Sequence, residues 1–92
     1  MIIIFGAGIL GETTLYACRK AGIRVDAFMD DRIKGPLLGL PVIRTSELEY
    51  LYPKAQFYLT SPNIDDMVRP LHSMGYDDWK SCGEVLRGFD IS

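Results

Sequence analysis

Four bulky apolar residues, Ile2 to Phe5, run without interruption into Gly6-Ala7-Gly8-Ile9-Leu10-Gly11. An unbroken apolar run predicts a parallel strand buried on both faces, because a strand with one wet face alternates. Past the glycines the period changes to three and four. Leu10, Thr14, Ala17, Cys18 and Ala21 form a narrow face of small residues. The spacing predicts a helix from Glu12 to Ala21, with Arg19 and Lys20 in its last turn and Gly22 as a left-handed cap. Tyr16 reads as helix surface or core. Residues 23–29 then alternate, with Ile23, Val25, Ala27 and Met29 on one face and Arg24, Asp26 and Phe28 on the other. That pattern predicts a strand with one partly wet face, nearer the sheet edge than the first.

The pattern loosens over residues 33–44, where Gly35-Pro36 and Gly39-Leu40-Pro41 punctuate a loop that ends in a brief strand, Val42-Ile43. Ser46-Glu47-Leu48-Glu49 has the form of a capping box, so a short helix is expected to start near Glu47 and to stop before Pro53. Gln56 to Thr60 is a second mostly apolar run and a candidate inner strand. A helix over about 64–74 follows, with Asp65 and Asp66 at its dipole-favoured end and Gly75 as its stop. Pro70 inside it should kink the helix or divide it. Trp79 to Cys82 reads as a last short strand, and Gly83 to Arg87 as a terminal turn of helix. The expected fold is α/β: a three-layer, Rossmann-like open parallel sheet of about four to five strands flanked by helices, in one domain spanning residues 1–92. Right-handed crossovers place the second strand on one side of the first and the strand at 56–60 on the other.

In that arrangement G-x-G-x-x-G acquires a chemical meaning. Gly6 permits the turn off the strand, Gly8 lets main-chain N–H groups approach a phosphate, and Gly11 lets the helix lie against the sheet. The site would be an anion cradle at a helix N-terminus, where unpaired donors and the macrodipole favour negative charge. Asp30 follows the last glycine by 19 residues, close to the ~20-residue interval at which an acid meets ribose hydroxyls. The candidate nucleotide-contacting set is Gly6, Ala7, Gly8, Ile9, Leu10, Gly11, Asp30, Asp31, Arg32 and, from the loop after the fourth strand, Thr60, Ser61 and Asn63. Asp30 repels a ribose 2′-phosphate and so favours NAD over NADP, with Arg32 opposing that preference. A nucleotide sugar would use the same donors.

Charge and composition narrow the field. With a net charge of −2 the chain carries no strongly basic face, so nucleic acid is not an expected partner. The apolar N-terminal run is too short for a membrane span and lacks the basic start of a signal peptide, and a cytoplasmic protein is expected. Cys18 and Cys82 stand far apart in sequence and read as reduced structural thiols. No His, Cys and carboxylate cluster has metal-ligand spacing, so no metal is expected. His72 reads as a solvated helix residue, Asp65-Asp66 as helix-start charge and Asp77-Asp78 as turn chemistry. No Ser or Cys has a recognisable base partner, and catalytic residues are unassigned.

The succession of apolar strand, G-A-G-x-x-G, helix, G-I-x-V-x-A-F-x-D-D, G-x-P-V-I and S-x-E-L resembles small Rossmann-like domains of enzymes that build surface polysaccharides. It is similar to the N-terminal domains of sugar O-acyltransferases of the sialic-acid and bacillosamine type. It is similar also to those of nucleotide-sugar dehydratases and epimerases, and to modules attached to methyltransferases and glycosyltransferases. The resemblance covers roughly the whole chain and implies a sugar nucleotide, with Gly6, Gly8 and Gly11 at the phosphates and Asp30, and more weakly Asp31, at the ribose or base. The acyltransferases carry a Gly-His pair in the loop where this chain has Ile9-Leu10, so a catalytic or sugar-contacting role of that pair does not carry over. In these enzymes the chemistry resides in a second domain.

Three readings follow. The first is a nucleotide-binding module, for NAD or a UDP-sugar, that works with a catalytic partner domain and has no activity alone. The second is a small NAD-dependent oxidoreductase, disfavoured because the chain supplies about one mononucleotide-binding half. The third is a non-catalytic dimerisation domain with a degenerate site, for which exposed Tyr50, Tyr52 and Tyr76 would serve.

Overall fold

The structure, a computed structural model, describes residues 1–89. Its centre is β1 (Ile2–Phe5), whose Ile3 and Ile4 are both fully buried. The continuous apolar run meets that demand from both faces. Parallel pairing with β2 (Ala27–Met29) sets Ile4 opposite Phe28, and pairing with β4 (Gln56–Leu59) sets it opposite Tyr58. The outer strands β3 (Val42–Ile43) and β5 (Trp79–Ser81) complete a five-stranded, all-parallel sheet in the order β3-β2-β1-β4-β5. The fold is therefore α/β, with the expected reversal of winding between β1 and β4.

Side chains leave each strand alternately, and two cores result. Ile3, Ala27, Met29, Phe57 and Leu59 pack with Leu48 of α2 (Leu48–Leu51) and Leu71 of α3 (Asp65–Ser73). On the opposite face Ile4, Phe28 and Tyr58 pack with Leu15, Ala17 and Cys18 of α1 (Ile9–Lys20) and with Val85 of α4 (Gly83–Phe89). Cys18 and Cys82 are both free and buried, and burial pushes the Cys18 thiol up to about 11. Among the described residues no helix is long and apolar enough to cross a membrane.

Several expectations are corrected. The second strand is only three residues long and has no wet face, because α1 covers Phe28 on one side and the α2–α3 layer covers Ala27 and Met29 on the other. Helix α1 begins at Ile9, so Gly11 lies within its first turn. Leu15, absent from the expected face, is buried, whereas Leu10 is 38% exposed. Ser46 and Glu49 do not form the capping box. A 3-10 turn over Thr45–Glu47 precedes α2, and Glu47 Oε1 accepts the Arg44 N–H at 2.8 Å, two residues upstream of the expected pair. Pro70 does not divide α3. The carbonyl it leaves without a donor belongs to Asp66, an exposed residue. Tyr76 is core rather than surface: its ring meets Phe57 edge-on at 5.6 Å, and its hydroxyl donates to the Tyr52 carbonyl. Tyr50 is 90% exposed, as a surface residue should be.

The connection from β2 to β3, residues 30–41, contains no helix. A tight turn stands in its place, with Leu37 and Leu40 exchanging two main-chain bonds across Leu38 (φ 52°) and Gly39 (φ 81°). The Leu38 carbonyl accepts the Arg19 guanidinium at 3.0 Å, which ties this turn to α1.

Candidate functional site

All five strands point the same way, so their carboxyl ends lie along one edge, and the crevice between β1 and β4 opens there. The three glycines are required for different reasons. Gly6 has φ +114°, and a Cβ on it would sit 2.1 Å from Thr60 Oγ1. Thr60 is buried and donates its hydroxyl to the Phe5 carbonyl at 2.8 Å, so the ends of β1 and β4 interlock there. At Gly11 a Cβ would lie 2.0 Å from the Gly6 carbonyl oxygen, the close approach that seats α1 on the turn. Gly8 differs from both. Its backbone is extended at φ −83° and ψ −162°, and a Cβ there meets no other part of the protein within 4 Å.

Gly8 is also the N-cap of α1, and it offers no side chain to the helix end. Glu12 N–H is the first to bond back, to the Gly8 carbonyl at 3.0 Å. The N–H groups of Ile9, Leu10 and Gly11 thus belong to the first turn, which has no intrahelical acceptor. The three residues line a cavity of about 480 Å³ bounded by the glycine loop, Asp30 to Ile33, Thr60 to Pro62, Phe5 and Met67. Ile9 is 84% exposed, and with Leu10 and Ile33 it gives the mouth an apolar rim.

The acids behind β2 are already engaged. Partial burial raises the Asp30 carboxyl, but N–H donors from Ala7, Arg32 and Ile33 and the nearby Arg32 charge outweigh it and hold the group below the ordinary aspartate value. Asp31 accepts the Thr45 N–H at 2.9 Å and the Thr45 hydroxyl at 2.8 Å, while its carbonyl receives the Arg44 guanidinium. It caps the turn before α2. Ser61 Oγ accepts the Asn63 N–H at 3.0 Å.

Ten of the twelve sequence-nominated residues therefore line one cavity. Ala7 is buried just beneath it with its N–H turned onto Asp30, and Asn63 is exposed outside it. Phe5, Ile33, Pro62 and Met67 line the cavity without having been nominated. Phe5, Ile33 and Pro62 each adjoin a nominated residue in sequence. Met67 reaches the cavity from α3, across a separation that no local pattern reveals. His72 lies outside the cavity, exposed and 2.6 Å from Asp77. Among the described residues no group of three or more His, Cys, Asp or Glu could hold a metal ion, and no His, Cys or Lys lines the cavity.

No family model and no curated protein sequence matches the chain. Two solved structures do, both of the acetyltransferase domain of PglB from Neisseria gonorrhoeae FA1090. The first is 22% identical over 82% of this chain and 40% of that one, with a TM-score of 0.62. The second, a complex with acetyl coenzyme A, is 25% identical over 80% of this chain and 38% of that one, with the same TM-score of 0.62. The chain thus spans about two fifths of the length of the structures it matches. What it shares with that acetyltransferase domain is a parallel-sheet fold.

Proposed function

We propose that this chain is a nucleotide-binding module that holds the diphosphate of a sugar nucleotide, of the UDP-sugar type, against the Gly6–Gly11 loop, with the ribose beside Asp30. Gly8 carries the reading. Gly6 and Gly11 are explained by the protein's own packing, but nothing in the fold needs a glycine at position 8. A group seated against the loop does need one, because Gly8 lines the cavity and a side chain there would take up open space beside the loop. A diphosphate matches the first-turn N–H donors in charge. The sheet order β3-β2-β1-β4-β5 puts the cavity at the reversal of winding between β1 and β4, where nucleotides bind in open parallel sheets.

No His, Cys or Lys lines the cavity, so bond-making chemistry is assigned to another domain. The fold shared with an acetyltransferase domain, one of whose structures holds acetyl coenzyme A, supports acyl transfer onto a sugar as the reaction such a module serves.

Thermal unfolding of the chain with UDP-N-acetylglucosamine, NAD, NADP or acetyl coenzyme A tests the proposal. A ligand at a hundred times its Kd stabilises by about 2.7 kcal/mol, which is roughly 10 °C or more in a domain of this size. The expected result is a shift with the UDP-sugar alone, abolished by Gly8→Val. No shift with any of the four, or a shift with acetyl coenzyme A only, overturns it.

A further inference from the structure

The carboxylate of Asp30 is bonded within the chain on both oxygens. Oδ2 accepts the Ala7 N–H at 3.0 Å, while Oδ1 accepts the N–H groups of Arg32 at 2.8 Å and Ile33 at 3.2 Å. An ionised carboxylate has about four acceptor positions. Three are taken by main-chain donors, and one remains on Oδ2. The Ala7 bond crosses between two loops 23 residues apart in sequence. Ala7 is 3% exposed, and without Asp30 its N–H would be a buried donor lacking an acceptor.

From these bonds we infer that Asp30 is a positioning residue. It fastens the glycine loop to the loop after β2, fixes the α1 donors at the spacing a diphosphate needs, and contributes little to recognising the ribose. The inference rests on the proposed nucleotide site and sharpens its specificity. The chain selects its ligand by the phosphates and tolerates loss of the sugar hydroxyls. A dedicated carboxylate–hydroxyl bond would instead favour the ribonucleotide roughly tenfold to a hundredfold.

Calorimetric titration of uridine diphosphate and 2′,3′-dideoxyuridine diphosphate into the full chain and into Asp30→Asn separates the two roles. The wild type is expected to bind both within about threefold, and Asp30→Asn to weaken both by the same factor. A wild type that prefers the ribonucleotide tenfold or more, or a variant that loses only that preference, makes Asp30 a ribose ligand and overturns the inference. A second measurement does not require the variant to fold. In an NMR pH titration of the wild type, the Ala7, Arg32 and Ile33 amides should move together, with one midpoint below the ordinary aspartate value. An Ala7 amide that does not follow the other two overturns the fastening role. If neither nucleotide binds while the three amides titrate together, the nucleotide reading fails and the fastening role stands.

Discussion

At the scale of single residues, the glycines of one motif separate into those the fold needs and one it does not. Gly11→Ala places a methyl group against the Gly6 carbonyl, a main-chain atom that cannot move aside cheaply. We expect a loss of about 2 kcal/mol or more in urea unfolding, in the range of overpacking substitutions. Gly8→Ala, on an extended backbone with open space beyond it, should change stability by less than about 0.5 kcal/mol. Equal losses for the two would contradict the division. The three-glycine spacing and the acid that follows it were legible because residue type alone specifies both. The prior engagement of Asp30 and Asp31 was not. Their partners are mainly main-chain N–H groups, which every residue but proline carries, so no pattern of side chains announces them.

At the scale of elements, α3 contains adjacent residues with opposite expected effects. Leu71 is fully buried in the α2–α3 core, and Leu71→Ala should cost about 2–5 kcal/mol. Pro70 occupies an interior helical position where its ring withholds a donor from the Asp66 carbonyl. Pro70→Ala should raise stability by about 1 kcal/mol, the restored bond and propensity being offset in part by a freer unfolded chain. A destabilised Pro70→Ala variant would mean that the ring packs to an extent the helix depends on. The existence and type of nearly every element was readable from periodicity, because strands and helices bury different repeats. Boundaries and faces were less so. The alternation of residues 23–29 suggests a wet face that α1 in fact covers, and Tyr76, which reads as surface in the sequence, packs edge-on against Phe57.

For the whole molecule, Asp30 and His72 contribute stability over pH ranges limited from opposite sides. The Asp30 carboxyl is lowered in the folded state, so its contribution is present above the ordinary aspartate value of 3.8 and is lost as pH falls through the folded value. His72 is raised, chiefly by its hydrogen bond to Asp77. Its contribution is therefore full below 6.5 and is lost as pH rises through the folded value. Both contributions are complete between about pH 4 and 6.5. The urea midpoint of wild type should exceed that of His72→Gln in this window and converge with it at higher pH. A difference that persists into strongly alkaline solution would assign His72 some role other than its ion pair. The common strand direction also makes the molecule lopsided: loops and helix beginnings gather at the mouth, while exposed Met1 sits where β1 starts, at the far edge. A tether attached ahead of Met1 would leave from the back. Molecules anchored that way on a sensor chip would all present their openings to the flowing solution.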